Sequence, residues 1–198
     1  MINRNISDQF FMSDTKSSKI QNCFQQAHHC ITSNQSIRRL LEALAFHGCP
    51  FDFNRHLSCE TTDQNIRGGF DQSVCQIVLY PENLHSTDEL CTIFEHELIH
   101  AFDYCRAKID FTNPYHLACT EIRAASLTDQ CSLFNHFSTS SRPFFIKNQH
   151  TTCVKNRTRE SMEICNDLPR RELDRIINDV FLRCYNDTEP FDRSGRRQ

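Results

Sequence analysis

Three features are missing from this sequence, and each absence excludes a class of protein. No run approaches the roughly 18 apolar residues that a membrane-spanning helix needs, so we expect no transmembrane segment. No two cysteines form a C-x-x-C pair, which argues against zinc ribbons and thioredoxin-like redox chemistry. The net charge is only −3 at pH 7, so the chain has no general affinity for polyanions and we expect no nucleic-acid partner.

The amino terminus also lacks the common targeting signals, although cysteine is abundant. Residues 1–19 contain no apolar core of signal-peptide length and too few basic residues for an ordinary transit peptide. The 12 cysteines suit an oxidising compartment, and we favour disulfides over mostly free thiols. This combination fits a mitochondrial intermembrane space protein trapped by oxidative folding better than a secreted or cytosolic one, although a truncated sequence would look the same.

One stretch in the middle of the chain has two histidines at a spacing typical of metal ligands. His96-Glu97-Leu98-Ile99-His100 spells HExxH, and the surrounding pattern predicts one helix from Thr87 to Lys108, begun by a capping box of Ser86 and Glu89. Histidines four residues apart project from the same helical face, so their imidazoles can occupy two corners of a Zn²⁺ tetrahedron. The glutamate beside the first histidine can hold a water molecule on the metal as general base.

The two sides of this helix differ in polarity. One face gathers the two histidines with Asp103 and, to one side, Glu97. The opposite face is apolar and consists of Leu90, Cys91, Phe94, Leu98, Ala101, Phe102 and Cys105. We therefore expect the helix to bury its back and to present its ligands to a cleft; the alternative is a surface helix with solvated histidines. Cys91 and Cys105 lie roughly 21 Å apart along the helix, so each must pair with a different segment.

A third metal ligand must come from elsewhere in the chain. In metzincins it is a His six residues after the second motif His, but that position is Arg106 here. The other common solution is a Glu from a second helix packed across the first, and Glu121 lies 21 residues after His100. Ala124 and Ala125 would permit the close approach of the two helices. We therefore predict a Zn²⁺ site formed by the two motif histidines and Glu121.

Other residues remain alternatives at this site. Asp103 and His116 could replace Glu121, which without a metal role would be an exposed side chain. For Asp103 we favour a role outside the ligand set, in which its carboxylate orients a ligand imidazole. Hydrolysis also needs a group that stabilises the oxyanion. Tyr104, His116 and His150 are candidates that the sequence does not rank.

Patterns elsewhere predict further elements. The predicted regular elements are an amphipathic helix around Ile37–Leu44, a short strand over Val74–Tyr80 and a last helix opened by Pro169. The predicted irregular segments are Cys49–Thr62, a loop over Ser138–Pro143 and a solvated segment over Lys155–Arg159. In metalloproteases with this motif a strand before the metal helix supplies the sheet edge that pairs with an extended substrate, so the predicted strand is either that edge or an ordinary structural strand.

Two short motifs carry further predictions. Gly68-Gly69 holds two of the four glycines in the chain, which predicts a turn or a close approach that a side chain would block. Cys23 and Cys30 flank His28-His29, which indicates a metal cluster or, as we favour, an arm anchored by disulfides.

These residues together resemble a known family. The matching motifs are His96 to Asp103, His116 to Ala124, Gly68 to Asp71, Gln76 to Leu79 and Asn186 to Phe191, so the similarity covers roughly Cys23 to Arg193. They are similar to the mitochondrial inner membrane metalloproteases of the ATP synthase assembly pathway, which include Ku-binding-protein relatives. Two cysteines expected from the family are Thr62 and Tyr80 here, and the resemblance suggests that Cys75 and Cys91 form a replacement bridge.

The resemblance implies a function and a location. It implies a zinc endopeptidase that contacts the inner membrane peripherally from the intermembrane space and removes the N-terminal propeptide from the precursor of ATP synthase membrane subunit a. It also implies help in assembling the membrane sector. The alternative is a disulfide-rich assembly factor, or chaperone, in which cleavage is dispensable.

Sequence pattern and resemblance lead to one predicted architecture. We expect an α+β, zincin-like domain of the gluzincin type, with a small sheet, the HExxH helix and disulfide staples. Residues 1–20 would form a flexible N-terminal arm, 21–193 a single zinc metalloprotease domain and 194–198 a tail. Within the domain, His96, His100 and Glu121 would hold Zn²⁺ and Glu97 would be the catalytic base.

Overall fold

Helices make up most of the described part of the chain, which comprises residues 5–131 and 146–191 of a computed structural model. The helices are α1 Asn5–Ser33, α2 Gln35–Phe46, α3 Phe53–His56, α4 Thr87–Ala107, α5 Pro114–Leu127, α6 Ile146–Cys165 and α7 Arg170–Asn186. The strands are β1 Leu57–Cys59, β2 Gly68–Asp71 and β3 Gln76–Leu79. The predicted loop Ser138–Pro143 and the tail 194–198 lie outside the described residues. Among the described residues, no helix is both long and apolar enough to cross a membrane.

The first helix occupies the stretch for which the sequence predicts a flexible arm. α1 includes residues 5–20 and continues to Ser33. No glycine or proline occurs before Gly48, so nothing in this stretch interrupts the hydrogen bonds of a helix. The predicted division of the chain into arm, domain and tail stays a prediction.

The amphipathic helix and the last helix are confirmed as α2 and α7. The side chain of Asn34 caps α2 by accepting a hydrogen bond from the Ser36 N–H at 2.8 Å, and Gly48 follows the helix with φ of +85°. Leu40 and Leu44 are buried as predicted. α7 begins directly after Pro169, as the sequence indicates.

The sequence did not reveal α6. The segment Lys155–Arg159, predicted to be solvated, lies in the middle of this helix. Val154, Thr158 and Met162 form a buried stripe at a spacing of four residues. Only two of these three side chains are apolar and the rest of the helix is strongly polar, so the periodic signal is weak.

The sheet has the strand order β1-β3-β2, which corrects two predictions. β3, predicted as the possible substrate-binding edge, is the central strand, parallel to β1 and antiparallel to β2. The strand with an outer edge beside α4 is β2, which pairs only with β3 among the described residues. The segment Cys49–Thr62, predicted to be irregular, contains α3 and β1.

α4 begins and ends where its sequence predicts. The Ser86 hydroxyl accepts a hydrogen bond from the Glu89 N–H at 3.1 Å, and Lys108 ends the helix in the left-handed conformation with φ of +48°. The Glu89 carboxylate accepts a hydrogen bond from the His85 N–H at 2.9 Å. In a regular capping box it would accept from the Ser86 N–H, one residue later. The four large residues of the apolar face are fully buried as expected, namely Leu90, Phe94, Leu98 and Phe102. Its small residues Cys91, Ala101 and Cys105 are partly buried.

Two apolar cores meet at this helix. The first core packs α1, α2 and the sheet against the back of α4, and the second packs α5, α6 and α7 against one another. α5 contacts both cores, because Ala124 belongs to the first and Ile122 to the second. The face of α4 that carries the histidines therefore lies at the junction of the two cores and is itself buried.

Ten of the 12 cysteines form disulfides, as the composition favours. The pairs are Cys23–Cys59, Cys30–Cys91, Cys49–Cys105, Cys119–Cys184 and Cys131–Cys153. Cys91 and Cys105 thus bind different segments, as predicted, and tie α4 to α1 and to the α2–α3 connection. The suggested bridge between Cys75 and Cys91 is wrong, because Cys91 pairs with Cys30 and Cys75 is free. Cys23 and Cys30 form disulfides, which confirms the favoured interpretation of that motif.

The glycine pair marks a close approach at one of its two positions. A Cβ atom on Gly68 would lie 2.8 Å from Ile93 Cγ2 and 3.2 Å from the Val78 carbonyl oxygen, whereas one on Gly69 would have no heavy atom within 4 Å. We expect Gly68→Ala to lower the free energy of unfolding by about 1–3 kcal/mol, since Ile93 or β3 must shift to accommodate the methyl group. Chemical denaturation measures this effect. Gly69→Ala is the matched control, and equal losses in the two variants would contradict the steric argument.

Candidate metal centre

The fold brings together the three residues predicted as metal ligands. His96 and His100 project from α4 and Glu121 from α5, and one ligand atom from each lies within 4.8 Å of the others. The carboxylate oxygens of Glu121 lie 3.4 Å from Nε2 of His96 and 3.5 Å from Nε2 of His100. A small side chain accompanies the close approach of α5 to α4, because Ala124 is fully buried in the core that contains the back of α4, whereas Ala125 is buried in the second core.

The spacing and chemistry of these atoms fit a divalent cation. Ligand atoms about 2.0–2.2 Å from a tetrahedral zinc ion lie roughly 3.3–3.6 Å apart. Each imidazole–carboxylate distance falls in this range, although the two distances involve different oxygens of Glu121 and the three ligand atoms together spread over up to 4.8 Å. Two imidazole nitrogens and one carboxylate oxygen leave one position of a tetrahedron open, as in catalytic rather than structural zinc sites. The alternative in which Glu121 is an exposed side chain does not hold, because this residue is only 5% exposed.

The local charges determine the protonation of the three residues. Burial lowers the pKa of His100 to about 4, so this ring is neutral at pH 7 and can present a lone pair. Burial alone would also lower the pKa of His96, but the hydrogen bond to Glu121 and the charges of Glu97 and Glu121 outweigh it and raise the pKa. Burial alone would raise the pKa of Glu121, yet the two imidazoles lower it to about 2. A cation bound at Nε2 of His96 would take the place of the proton in its hydrogen bond with Glu121.

Glu97 lies beside this group on the same helix. It is 7% exposed, and burial raises the pKa of its carboxyl to about 7, against the smaller opposing effect of His96. A carboxyl group with a pKa near neutrality can both accept and return a proton at physiological pH. Glu97 is therefore the buried carboxyl group beside the two histidines that the sequence predicts as general base.

A relay of hydrogen bonds orients the second ligand imidazole. Nδ1 of His100 lies 2.9 Å from the Thr120 hydroxyl, and that hydroxyl donates to Asp103 at 2.9 Å. With Nε2 facing the metal ligands, Nδ1 must carry the proton and donate to Thr120. Asp103 therefore reaches the imidazole through Thr120, which agrees with the orienting role that the sequence favours for it. By contrast, no described residue forms a hydrogen bond with Nδ1 of His96, which is buried.

Two arginines hold Asp103 in place. Arg123, 1% exposed, donates from Nε to the Asp103 carboxylate at 2.9 Å, and Arg106 donates to it at 3.0 Å. Both arginines also form ion pairs with Asp187, and Arg123 donates to the backbone carbonyls of Asp187 and Glu189. The segment after α7 is thereby attached to the metal centre. This accounts for the Asn186–Phe191 motif, which the sequence could identify but not explain.

Thr120 gives a direct test of the relay. We expect Thr120→Val to lower the metal affinity of the protein by about 10–100-fold, because the isosteric side chain neither accepts from His100 nor donates to Asp103. Competition with a chromophoric chelator measures this affinity. Thr120→Ser keeps the hydroxyl and should bind metal almost as well as the wild type. Equal affinities in all three proteins would show that the ring is held without the hydroxyl.

The remaining predicted residues lie outside this group of ligand atoms. Among the described residues, the group contains only His96, His100 and Glu121, so neither Asp103 nor His116 belongs to it. His116 is exposed and its Nδ1 accepts a hydrogen bond from the Asp110 N–H at 3.2 Å. His150 lies 2.8 Å from the Tyr185 hydroxyl on α7.

Tyr104, the third oxyanion candidate, belongs to an aromatic cluster beside the metal centre. Its ring lies 5.9 Å from that of Phe70 on β2 and 6.2 Å from that of Phe111, and Phe111 lies 6.2 Å from His100. Tyr104 is therefore one aromatic neighbour away from a ligand imidazole. The choice among the oxyanion candidates stays open.

Comparison with known proteins agrees with this geometry. A model of the peptidase M76 family matches residues 21–192, which is most of the chain. The chain belongs to this family. The M76 peptidase is 40% identical over 174 residues to the mitochondrial inner membrane protease ATP23 homolog of Homo sapiens, covering 87% of this chain and 70% of that protein. It is 39% identical over 186 residues to the Danio rerio homolog, with 90% and 72% covered.

More distant relatives extend the comparison to fungi. The M76 peptidase is 35% identical over 144 residues to the mitochondrial inner membrane protease ATP23 of Debaryomyces hansenii, covering 71% of this chain and 59% of that protein. No solved structure matches the chain. The α+β architecture with a small sheet and disulfides agrees with the prediction, and the zincin-like, gluzincin-type fold stays a prediction.

Proposed function

We propose that this M76 peptidase is a zinc endopeptidase whose active site is formed by His96, Glu97, His100 and Glu121. The observation that carries the proposal is the convergence of two buried imidazoles and one buried carboxylate at 3.4 and 3.5 Å, with a second carboxylate beside them. His96, His100 and Glu121 would hold Zn²⁺. When bound, the ion supplies a Lewis acid that polarises the scissile carbonyl and acidifies water.

The residues of the chain then divide the remaining work. Glu97 takes a proton from the attacking water and delivers it to the amine of the leaving peptide, since a base must be restored in each cycle. His100 is kept in one tautomer by Thr120 and Asp103, so that Nε2 stays available as a ligand. An extended peptide would pair with the outer edge of β2, which lies beside α4 from Ile93 to Tyr104.

The proposed membrane comes from the relatives, and the proposed substrate comes from the family resemblance of the sequence motifs. The relatives are named as proteases of the mitochondrial inner membrane, and we propose the same membrane for this protein, with peripheral attachment on the intermembrane space side. The five disulfides support an oxidising compartment. We further propose the precursor of ATP synthase membrane subunit a as substrate, with assistance to assembly of the membrane sector.

Metal removal tests the proposal. Protein purified without reduction should contain about one zinc per chain and two free thiols, Cys75 and Cys165. Treatment with a chelator is expected to abolish hydrolysis but to leave the circular dichroism spectrum unchanged, because the disulfides and two apolar cores hold the fold without the ion. Added zinc should restore activity.

Two outcomes would contradict this expectation in different ways. Unfolding on chelation would show that the ion has a structural role, as in small zinc domains. Purified protein that binds no zinc, even when zinc is supplied, would end the proposal of a metal-dependent hydrolase.

A further inference from the structure

A large cavity lies on the far side of the aromatic cluster from the metal centre. It has a volume of about 720 Å³ and lies between the α2–α3 connection, the β2–β3 end of the sheet and the C-terminal half of α4. Its apolar lining includes Leu44, Phe51, Phe70, Ile77, Ala101 and Ile109. Phe111 separates it from the site, because this ring contacts Phe70 and Tyr104 on one side and His100 on the other. A volume of this size is typical of small-molecule sites.

The cationic side chains at the cavity are Arg55 and Lys108, and no aspartate or glutamate lines it. Its other polar lining residues include His56, Gln72 and Tyr104. Within the described part of the chain, neither the Arg55 guanidinium nor the Lys108 ammonium group forms an ion pair or a side-chain hydrogen bond. The protein therefore places two unpaired cations at an apolar cavity, an arrangement complementary to one anionic group attached to an apolar body.

The surface next to the cavity is also apolar. Phe46 is 88% exposed and Val74 is 57% exposed. Each is close in sequence to a residue that lines the cavity, Phe46 to Leu44 and Val74 to Cys75. An apolar ligand approaching this end of the protein would meet these side chains first.

We propose that the cavity binds an anionic amphiphile, a single aliphatic chain that ends in a carboxylate or a phosphate. The chain would occupy the space between Phe51, Phe70 and Ile77, and the anion would lie between Arg55 and Lys108. Phe70 and Tyr104 border both this cavity and the proposed peptide-binding edge, but binding of the amphiphile does not depend on a bound metal.

One free thiol reports on occupancy of the cavity. Cys75 is exposed and lines the cavity, whereas Cys165, the other free cysteine, lies at the end of α6 and does not. The charges of Glu121 and Glu97 help to raise the pKa of the Cys165 thiol, after the larger effect of its partial burial, so this thiol lies on the side of the metal centre. A ligand in the cavity should shield Cys75 and leave Cys165 accessible.

The experiment measures alkylation of both thiols in the oxidised full-length chain by mass spectrometry. Dodecanoate and dodecyl phosphate are added below their micellar concentrations, and dodecanol serves as the uncharged probe. At about ten times its Kd, dodecanoate or dodecyl phosphate should slow alkylation of Cys75 by about tenfold and leave the Cys165 rate unchanged. A difference between the two anions identifies the preferred head group.

A double variant tests the role of charge. Arg55→Gln with Lys108→Gln should raise the Kd for either anion, measured through protection of Cys75, by about tenfold or more, because both cationic partners are lost. Both side chains are exposed, so the substitutions should not disturb the cores. Lys19→Gln with Arg183→Gln removes the same charge elsewhere and should leave protection unchanged.

Several results would overturn the proposal. These are no protection of Cys75 by either anion, equal protection by dodecanol in the wild type, and equal slowing of both thiols. Protection of Cys75 by an uncharged apolar peptide but not by the amphiphiles would assign the cavity to peptide binding instead. Unchanged protection in the Arg55 and Lys108 double variant would remove the anion from the proposal.

Discussion

Replacing Glu97 with Gln is expected to lower peptide hydrolysis by about 10²–10⁴-fold while the protein still binds zinc, because the amide keeps the shape of the carboxylate but cannot accept a proton. Initial rates on a peptide substrate and metal content by mass spectrometry measure the two effects together. Since Glu97 is buried at the junction of the two cores, thermal unfolding is followed in the same samples. A loss of activity accompanied by loss of zinc would assign Glu97 to metal binding instead.

A neighbouring glutamate provides the matched control. Glu95 is also buried on α4, but its carboxylate lies 3.4 Å from Nδ2 of Asn34, which caps α2. Glu95→Gln should therefore retain hydrolysis. Comparable inactivation in the two variants would mean that loss of buried charge, and not loss of the base, causes the defect.

The same variant distinguishes the protease from the assembly factor. If cells that carry only Glu97→Gln still assemble ATP synthase, the essential role is that of a chaperone and cleavage is dispensable. If assembly fails although the variant folds and binds zinc, cleavage itself is required.

The second large effect is expected from Arg123, which lies at the centre of the charge network. Arg123→Met should lower the free energy of unfolding by about 3–5 kcal/mol, because it leaves the buried Asp103 carboxylate with fewer partners and releases the backbone after α7. Urea denaturation of the oxidised protein measures the loss. Arg175→Met is the control, because the Arg175 guanidinium is exposed and its one ion pair, with Asp179 at 3.9 Å, is long. This variant should change the free energy of unfolding by less than about 0.5 kcal/mol.

A second substitution shows whether buried charge is the cause. Asp103→Asn added to Arg123→Met removes the carboxylate that has lost its partner, so the double variant should be more stable than Arg123→Met alone. If the two substitutions add instead, the effect of Arg123 comes from its bonds to the carbonyls of Asp187 and Glu189.

The local elements near the site could be predicted because their signals are short-range. Ser86 and Asn34 mark helix starts through their side-chain caps, and the apolar stripe of α4 shows which face is buried. The spacing of His96 and His100 places both rings on one face of any regular helix. α6 lacks such a signal, because only Val154 and Met162 are apolar on its fully buried stripe.

The prediction of β3 as a possible sheet edge was wrong for a different reason. Strand pairing depends on residues distant in the chain, and nothing in Gln76–Leu79 indicates that β1 and β2 lie on its two sides. The pairing of Cys91 with Cys30, 61 residues away, was likewise beyond the reach of local pattern.

By itself the sequence determined where the HExxH helix lies and which of its faces is buried. It also determined that the cysteines favour disulfides, and it gave a short set of possible third ligands. These follow from helical periodicity and from residue chemistry, which act within a few turns of the chain. Only the tertiary structure decided that Glu121 lies within reach of both imidazoles, that Thr120 connects His100 to Asp103, and that the C-terminal segment secures Arg123. The physical reason is that these contacts join residues between 17 and 66 positions apart, and their geometry is set by how two apolar cores pack across α4 and α5.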